Sequence, residues 1–95
     1  MPSNSPAAIF VFGQAGCGHC TEYIPRFQRI ARPYQKTFPI GIYDLAKEPH
    51  AVEFADRLGG IRVTPTTVVM SRRGSLHKHP GALSDQQIRD LLEGR

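Results

Sequence analysis

Ninety-five residues, about 40% of them apolar and 21% charged, suffice for one small core, and no apolar run approaches the roughly 20 residues of a membrane span. The formal net charge of +4 comes largely from Arg26, Arg29, Arg32 and Lys36, at about helical spacing, and from Arg72-Arg73 in a turn. That pattern reads as a solvated basic face with a modest preference for acidic protein partners or an anionic thiol. With no aromatic stacking platform beside the charge, nucleic-acid binding is not expected.

The opening "MPSNSPAAIFVFG" lacks a basic region followed by a full apolar segment, so no signal peptide is read and a cytoplasmic location is expected. Residues 1–6 are expected to be a flexible N-terminus, and 7–95 one domain. "AAIFVF", residues 7–12, is a continuous apolar run ending at Gly13, as in a strand buried on both faces. From Gly18 the residues Cys20, Tyr23, Ile24, Phe27, Ile30, Ala31 and Tyr34 step by three and four, which predicts a helix stopping near Pro33. Pro25 falls inside it and removes one backbone hydrogen bond. "FPIGIYDL" predicts a second strand whose weak alternation leaves the register open. "EPHAVEFADRLGG" predicts a helix that opens at Pro49, buries Ala51, Val52, Ala55 and Leu58, and stops at Gly59-Gly60. "TPTTVVM" and "SLHKHP" predict an antiparallel hairpin around "SRRG". Ser84 with Gln87 three residues on forms a capping-box pattern, opening a last helix that buries Ile88, Leu91 and Leu92. The order β-α-β-α-β-β-α describes an α/β domain, a four-stranded mixed sheet flanked by three helices.

The only two cysteines are Cys17 and Cys20, in "GQAGCGHCTEY". A disulfide between them closes too small a loop to constrain the unfolded chain, so a structural staple is a poor use. A single C-x-x-C supplies half of a zinc site, and His19, His50, His77 or His79 would have to supply the rest. The redox reading fits the map better. Cys17 falls where a helix begins, facing unpaired N–H groups and the positive end of the dipole, which favour a thiolate. Cys20 lies one turn further in, on the core side, within reach of a mixed disulfide formed at Cys17. His19 between them is expected to favour the reduced form and make the disulfide a better oxidant. His77 and His79 alternate on a short strand and read as solvent-exposed. Glu22 reads as a surface carboxylate one turn from His19, and Tyr23 and Tyr34 as core or rim residues.

"CGHCTEYIPRF", "GIRVTPTTVVMSRRG" and "PGALSDQQIRDLLE", in that order and spanning nearly the whole chain from Ala8, resemble the thioredoxin superfamily. The resemblance implies a minimal, glutaredoxin-like thioredoxin fold and a thiol-disulfide oxidoreductase. The Gly18-His19 dipeptide resembles the protein disulfide isomerase version of the motif, which places the expected potential at roughly −230 to −180 mV. Pro25 matches a helix-kinking proline, and Thr64-Pro65 matches the family's cis-proline position facing the cysteines. By resemblance, Thr64 pairs its backbone with an extended substrate and Pro65 keeps a free N–H away from the sulfurs. Gly81 lets backbone approach, and Gly16, Gly18, Val63 and Ala82 complete a shallow groove. The implied partners are disulfide-containing proteins, with a thioredoxin-reductase-type flavoenzyme or glutathione as electron donor. A monomer without metal or organic cofactor is expected.

The departures from the family pattern bear on the chemistry. Gly16 stands in place of a tryptophan, leaving Cys17 more open. Val11 stands where thioredoxins carry a buried aspartate, and Ile40 where its lysine partner falls, so Cys20 needs another proton acceptor: water, His19 or a further group. "PGALSDQQ" lacks in full the Gly-Gly and paired acids with which glutaredoxins hold glutathione. Two rival readings are a thioredoxin-fold interaction module with little turnover and a glutathione-dependent glutaredoxin.

Overall fold

The computed structural model describes residues 5–95, so residues 1–4 of the expected flexible segment lie outside the described residues. The remaining two residues of that segment are already part of the fold: Ser5 is buried and Pro6 pairs with Ser71. The elements are β1 (Pro6–Gly13), α1 (Gly18–Ala31), β2 (Ile40–Asp44), α2 (Pro49–Arg57), β3 (Thr66–Ser71), β4 (Leu76–Pro80) and α3 (Asp85–Glu93), with a 3-10 turn at Arg32–Tyr34. This is the expected β-α-β-α-β-β-α order. The short turn after α1 is the one addition, and Pro33 explains it, because a residue without an N–H cannot extend the α ladder.

The sheet runs β2-β1-β3-β4. β1 is parallel to β2, with Ile9 opposite Ile40, Val11 opposite Ile42 and Gly13 opposite Asp44. β3 is antiparallel to both β1 and β4. The register of β2, open in the sequence, thus places alternate residues of β1 and β2 on common faces.

One face packs against α1 and α3 through Ile9, Val11, Tyr23, Phe27, Ile88 and Leu92. The other packs against α2 through Phe12, Ala55, Leu58 and Val68, with Phe10, Tyr43 and Phe54 half-buried around them. Val52, expected on the buried stripe of α2, is instead 45% exposed. It lies about 100° around the helix from Ala51, and Phe54 fills the gap, edge-on to Phe10 at 4.8 Å between ring centroids. The capping box forms: Gln87 N–H donates to Ser84 Oγ at 3.1 Å, and Ser84 N–H donates to Gln87 Oε1 at 2.8 Å.

The basic face is not uniformly solvated. Arg26 donates to Glu22 at 2.7 Å, to the Leu83 carbonyl at 2.7 Å and to Asp85 at 2.9 Å, tying α1 to the start of α3. Its bonds to Glu22 and then Asp85 keep the guanidinium charged, and the same pairing with Arg26 holds the Glu22 carboxyl below its ordinary range. Arg29, Arg32 and Lys36 are exposed, as the sequence suggested, though Arg29 and Arg32 flank the end of α1. No helix among the described residues is long and apolar enough to cross a membrane.

Candidate active site

β1 ends at Gly13, and the chain turns through Gln14, Ala15 and Gly16 before α1. Gly16 has φ +87°, a conformation that favours glycine, so this turn delivers the chain to the helix start without backbone strain. Cys17 is the N-cap of α1, and its sulfur receives the Cys20 N–H at 3.2 Å. It therefore satisfies one of the donors that a helix start leaves open.

Cys17 and Cys20 form a disulfide with Cα atoms 5.2 Å apart. Their surroundings differ. Cys17 is half-buried, whereas Cys20 is only 4% exposed. The floor below Cys20 is Gly13: a Cβ there would lie 3.6 Å from the Cys20 sulfur and 2.7 Å from Ile24 Cδ1. The missing side chain thus makes room for Ile24 Cδ1 beside Cys20, which a Cβ at Gly13 would meet only at ordinary contact distance.

The Thr64–Pro65 peptide bond is cis. Cys17 Sγ lies 3.4 Å from the Thr64 carbonyl oxygen, a contact in which only the protonated thiol could donate. Pro65 is fully buried, and its carbonyl accepts the Gly81 N–H at 2.8 Å. Gly81, with φ +88°, is thereby joined to the cis-proline segment. Thr66 Oγ1 donates to the Val63 carbonyl at 2.7 Å, which fixes the approach to Thr64, itself outside every sheet ladder of the described residues.

The sequence-predicted residues thus divide into groups. Cys17, Cys20, Thr64, Pro65 and Gly81 are connected by direct contacts. Gly16, Gly18, His19, Val63 and Ala82 are exposed around them, with Val63 51% exposed. Glu22, one turn from His19, is bound to Arg26 and so belongs to the α1–α3 bridge. Tyr23 is a core residue, its hydroxyl 2.8 Å from Thr67 Oγ1, and burial pushes its phenol pKa up. His77 is exposed and His79 half-buried, facing Val69 and Leu91 on the α3 side. Among the described residues no three His, Cys, Asp or Glu side chains gather as a metal-holding group.

A sequence model described as a thioredoxin-like domain matches residues 1–94. The chain belongs to the thioredoxin-like domain family. No curated protein matches it in sequence. Among solved structures, a thioredoxin-like protein from Clostridium perfringens superposes with TM-score 0.73 at 22% identity, over 96% of this chain and 71% of that one. Thioredoxin f from spinach chloroplast gives TM-score 0.72 at 22% identity, over 98% of this chain and 79% of that one. A thioredoxin from Malassezia sympodialis gives TM-score 0.71 at 20% identity, over 97% and 79%. At these identities the likeness is one of fold.

Within this thioredoxin-like fold, Val11 is completely buried in the apolar cluster beneath the site. Ile40 lies opposite Ile9, one rung away on the same face. Val11, Ile9 and Ile40 therefore form a continuous hydrocarbon floor. The sequence did not show what opens beside that floor. A depression of about 380 Å³ is bordered by Gly13, Cys20, Ile24, Ile42, Asp44 and Glu48, among others. Gly13 was legible as the end of a strand, but its place under Cys20 depends on how α1 crosses the sheet.

Proposed function

We propose that the protein is a thiol-disulfide oxidoreductase acting on disulfide-containing proteins through Cys17 and Cys20. The observation that carries this reading is the asymmetric disulfide at the start of α1. One sulfur belongs to the half-buried Cys17 and is held by the Cys20 N–H beside Thr64; the other is buried one turn deeper. In the reduced protein the Cys17 thiolate, favoured by the Cys20 N–H and the helix dipole, attacks a substrate disulfide. One substrate sulfur leaves as a thiolate and the other is held on Cys17. Cys20 then attacks Cys17 Sγ, releases the second substrate sulfur and closes the Cys17–Cys20 disulfide. Two electrons pass to the substrate.

His19, exposed beside the pair, sets the poise toward the oxidising side of thioredoxin, so His19→Ala gives a more reducing couple in glutathione redox buffers. The groove around Thr64, with Val63, Gly81 and Ala82 at its edge, receives an extended segment of the substrate. Gly16 and Gly18 leave the nucleophile uncovered. The protein works as a cytoplasmic monomer, and a thioredoxin-reductase-type flavoenzyme or glutathione returns the disulfide to the dithiol.

Insulin reduction driven by dithiothreitol tests the reading. The wild-type protein is expected to accelerate precipitation of the insulin B chain, and Cys17→Ser to leave only the background rate. Equal rates for the two proteins would overturn the oxidoreductase reading in favour of an interaction module.

A further inference from the structure

We infer that Asp44 accepts the proton that the Cys20 thiol gives up when it resolves a mixed disulfide. The inference rests on the oxidoreductase reading above. A buried thiol must ionise before it attacks, and apolar surroundings oppose that ionisation. Cys20 is 4% exposed, and the strand beneath it offers Gly13 and the hydrocarbon of Val11. Its way out is sideways, into the depression of about 380 Å³ along which Cys20 and Asp44 both lie.

Asp44 is placed for the task by the sheet register. It is the Cα partner of Gly13, and paired residues of parallel strands project to the same face. The Cys20 sulfur rests over Gly13 on that face. Gly13 adds no side chain of its own on this face, where Ile24 Cδ1 lies over it beside the Cys20 sulfur. The space is large enough for several waters at about 30 Å³ each, and so for a bridge. Asp44 Oδ1 accepts the Ala46 N–H at 2.8 Å, which fixes the carboxylate and leaves Oδ2 to accept a proton.

Few other ionisable groups surround this space. Glu48, exposed at the N-cap of α2, also borders it, whereas the Tyr43 ring packs on the α2 face. Lys47 lies in the β2–α2 turn, its N–H donating to the Asp44 carbonyl at 3.3 Å. From α1 the bordering residues Thr21, Ile24 and Pro25 carry no charge, while His19 is exposed in the first turn. Asp44 is thus the carboxylate on the same rung as Gly13, the floor of Cys20, whereas Glu48 belongs to the start of α2.

In the step itself, the Cys20 S–H bond breaks and its proton passes through water to Asp44 Oδ2. The Cys20 sulfur bonds to Cys17 Sγ as the bond from Cys17 to the substrate sulfur breaks. The electron pair leaves on that sulfur, and the proton on Asp44 passes to it or to solvent.

The test follows reduced protein mixed with excess 2-hydroxyethyl disulfide, acid-quenched and resolved by mass, from pH 5.5 to 9.5. Asp44→Asn keeps a carbonyl acceptor for Ala46 N–H, so the turn is preserved. Its Cys17 mixed disulfide is expected to accumulate and to resolve at least about tenfold more slowly near pH 6.5, a modest general-base effect. The deficit should close toward pH 9.5, as Cys20 ionises unaided, and should be relieved by Asp44→Glu or by added formate small enough for the depression. Glu48→Gln should resolve at the wild-type rate. Unchanged resolution in Asp44→Asn, an equal deficit at every pH, or a deficit in Glu48→Gln alone would overturn the assignment. Failure of the wild-type protein to form any mixed disulfide would overturn the oxidoreductase reading itself, and the assignment with it.

Discussion

The two faces of the sheet are built differently. On the α1–α3 face, Ile9, Val11, Tyr23, Phe27 and Ile88 are completely buried, and the Tyr23–Thr67 bond and the Arg26 bridge lock the helices to the sheet and to each other. On the α2 face a single nine-residue helix cannot cover four strands, and half-buried Phe10, Tyr43 and Phe54 close the remainder as an aromatic cluster. The redox pair stands on the first face. A sulfur that must meet another within bonding distance benefits from a floor with no freedom to move, whereas the second face has only to keep water off the sheet.

Core truncation gives the largest expected contrast. Phe27→Ala should cost about 3–5 kcal/mol in urea unfolding, as for other fully buried phenylalanines, while half-buried Phe54→Ala should cost about 1–2 kcal/mol. Equal losses would erase the distinction between the faces. A smaller effect isolates the polar lock: Tyr23→Phe keeps the ring and leaves the buried Thr67 hydroxyl without its partner, for about 1–2 kcal/mol. No change there would show that packing alone holds α1 down.

The smallest effect lies at the edge of the α1–α3 face. Burial, and then the neighbouring His77, push the His79 pKa below its ordinary value of 6.5. The folded state therefore binds that proton less readily than the unfolded chain. The associated stability is intact above pH 6.5 and is lost as pH falls through the lowered value. A thermal-unfolding series from pH 7.5 to 5 should show a small decline that His79→Gln flattens; an identical slope in the variant would place the titration elsewhere.

Most of the architecture was legible because each element carries its own period. The continuous apolar run of β1, the three-and-four spacing of α1 and the Ser84–Gln87 cap each depend on neighbours in sequence. The cysteine pair was legible for the same reason, since the helix start lies at the motif. What escaped depends on crossings between distant segments. Arg26 reads in sequence as one more surface cation because Leu83 and Asp85 meet it only when α3 packs on α1. Val52 and Phe54 exchange roles because an aromatic cluster from β1 and β2 decides which side of α2 turns inward. Asp44 reads in sequence as the indistinct end of a weakly alternating strand, and its relation to Cys20 emerges only from the rung it shares with Gly13.

The division of labour between the two sulfurs is tested most directly by timed alkylation of the reduced protein with iodoacetamide at pH 7, and then peptide mass analysis. Cys17, open and held at the helix start, should be modified at least about tenfold faster than buried Cys20. Equal rates, or faster modification of Cys20, would contradict the assignment of Cys17 as the attacking thiol and Cys20 as the resolving one.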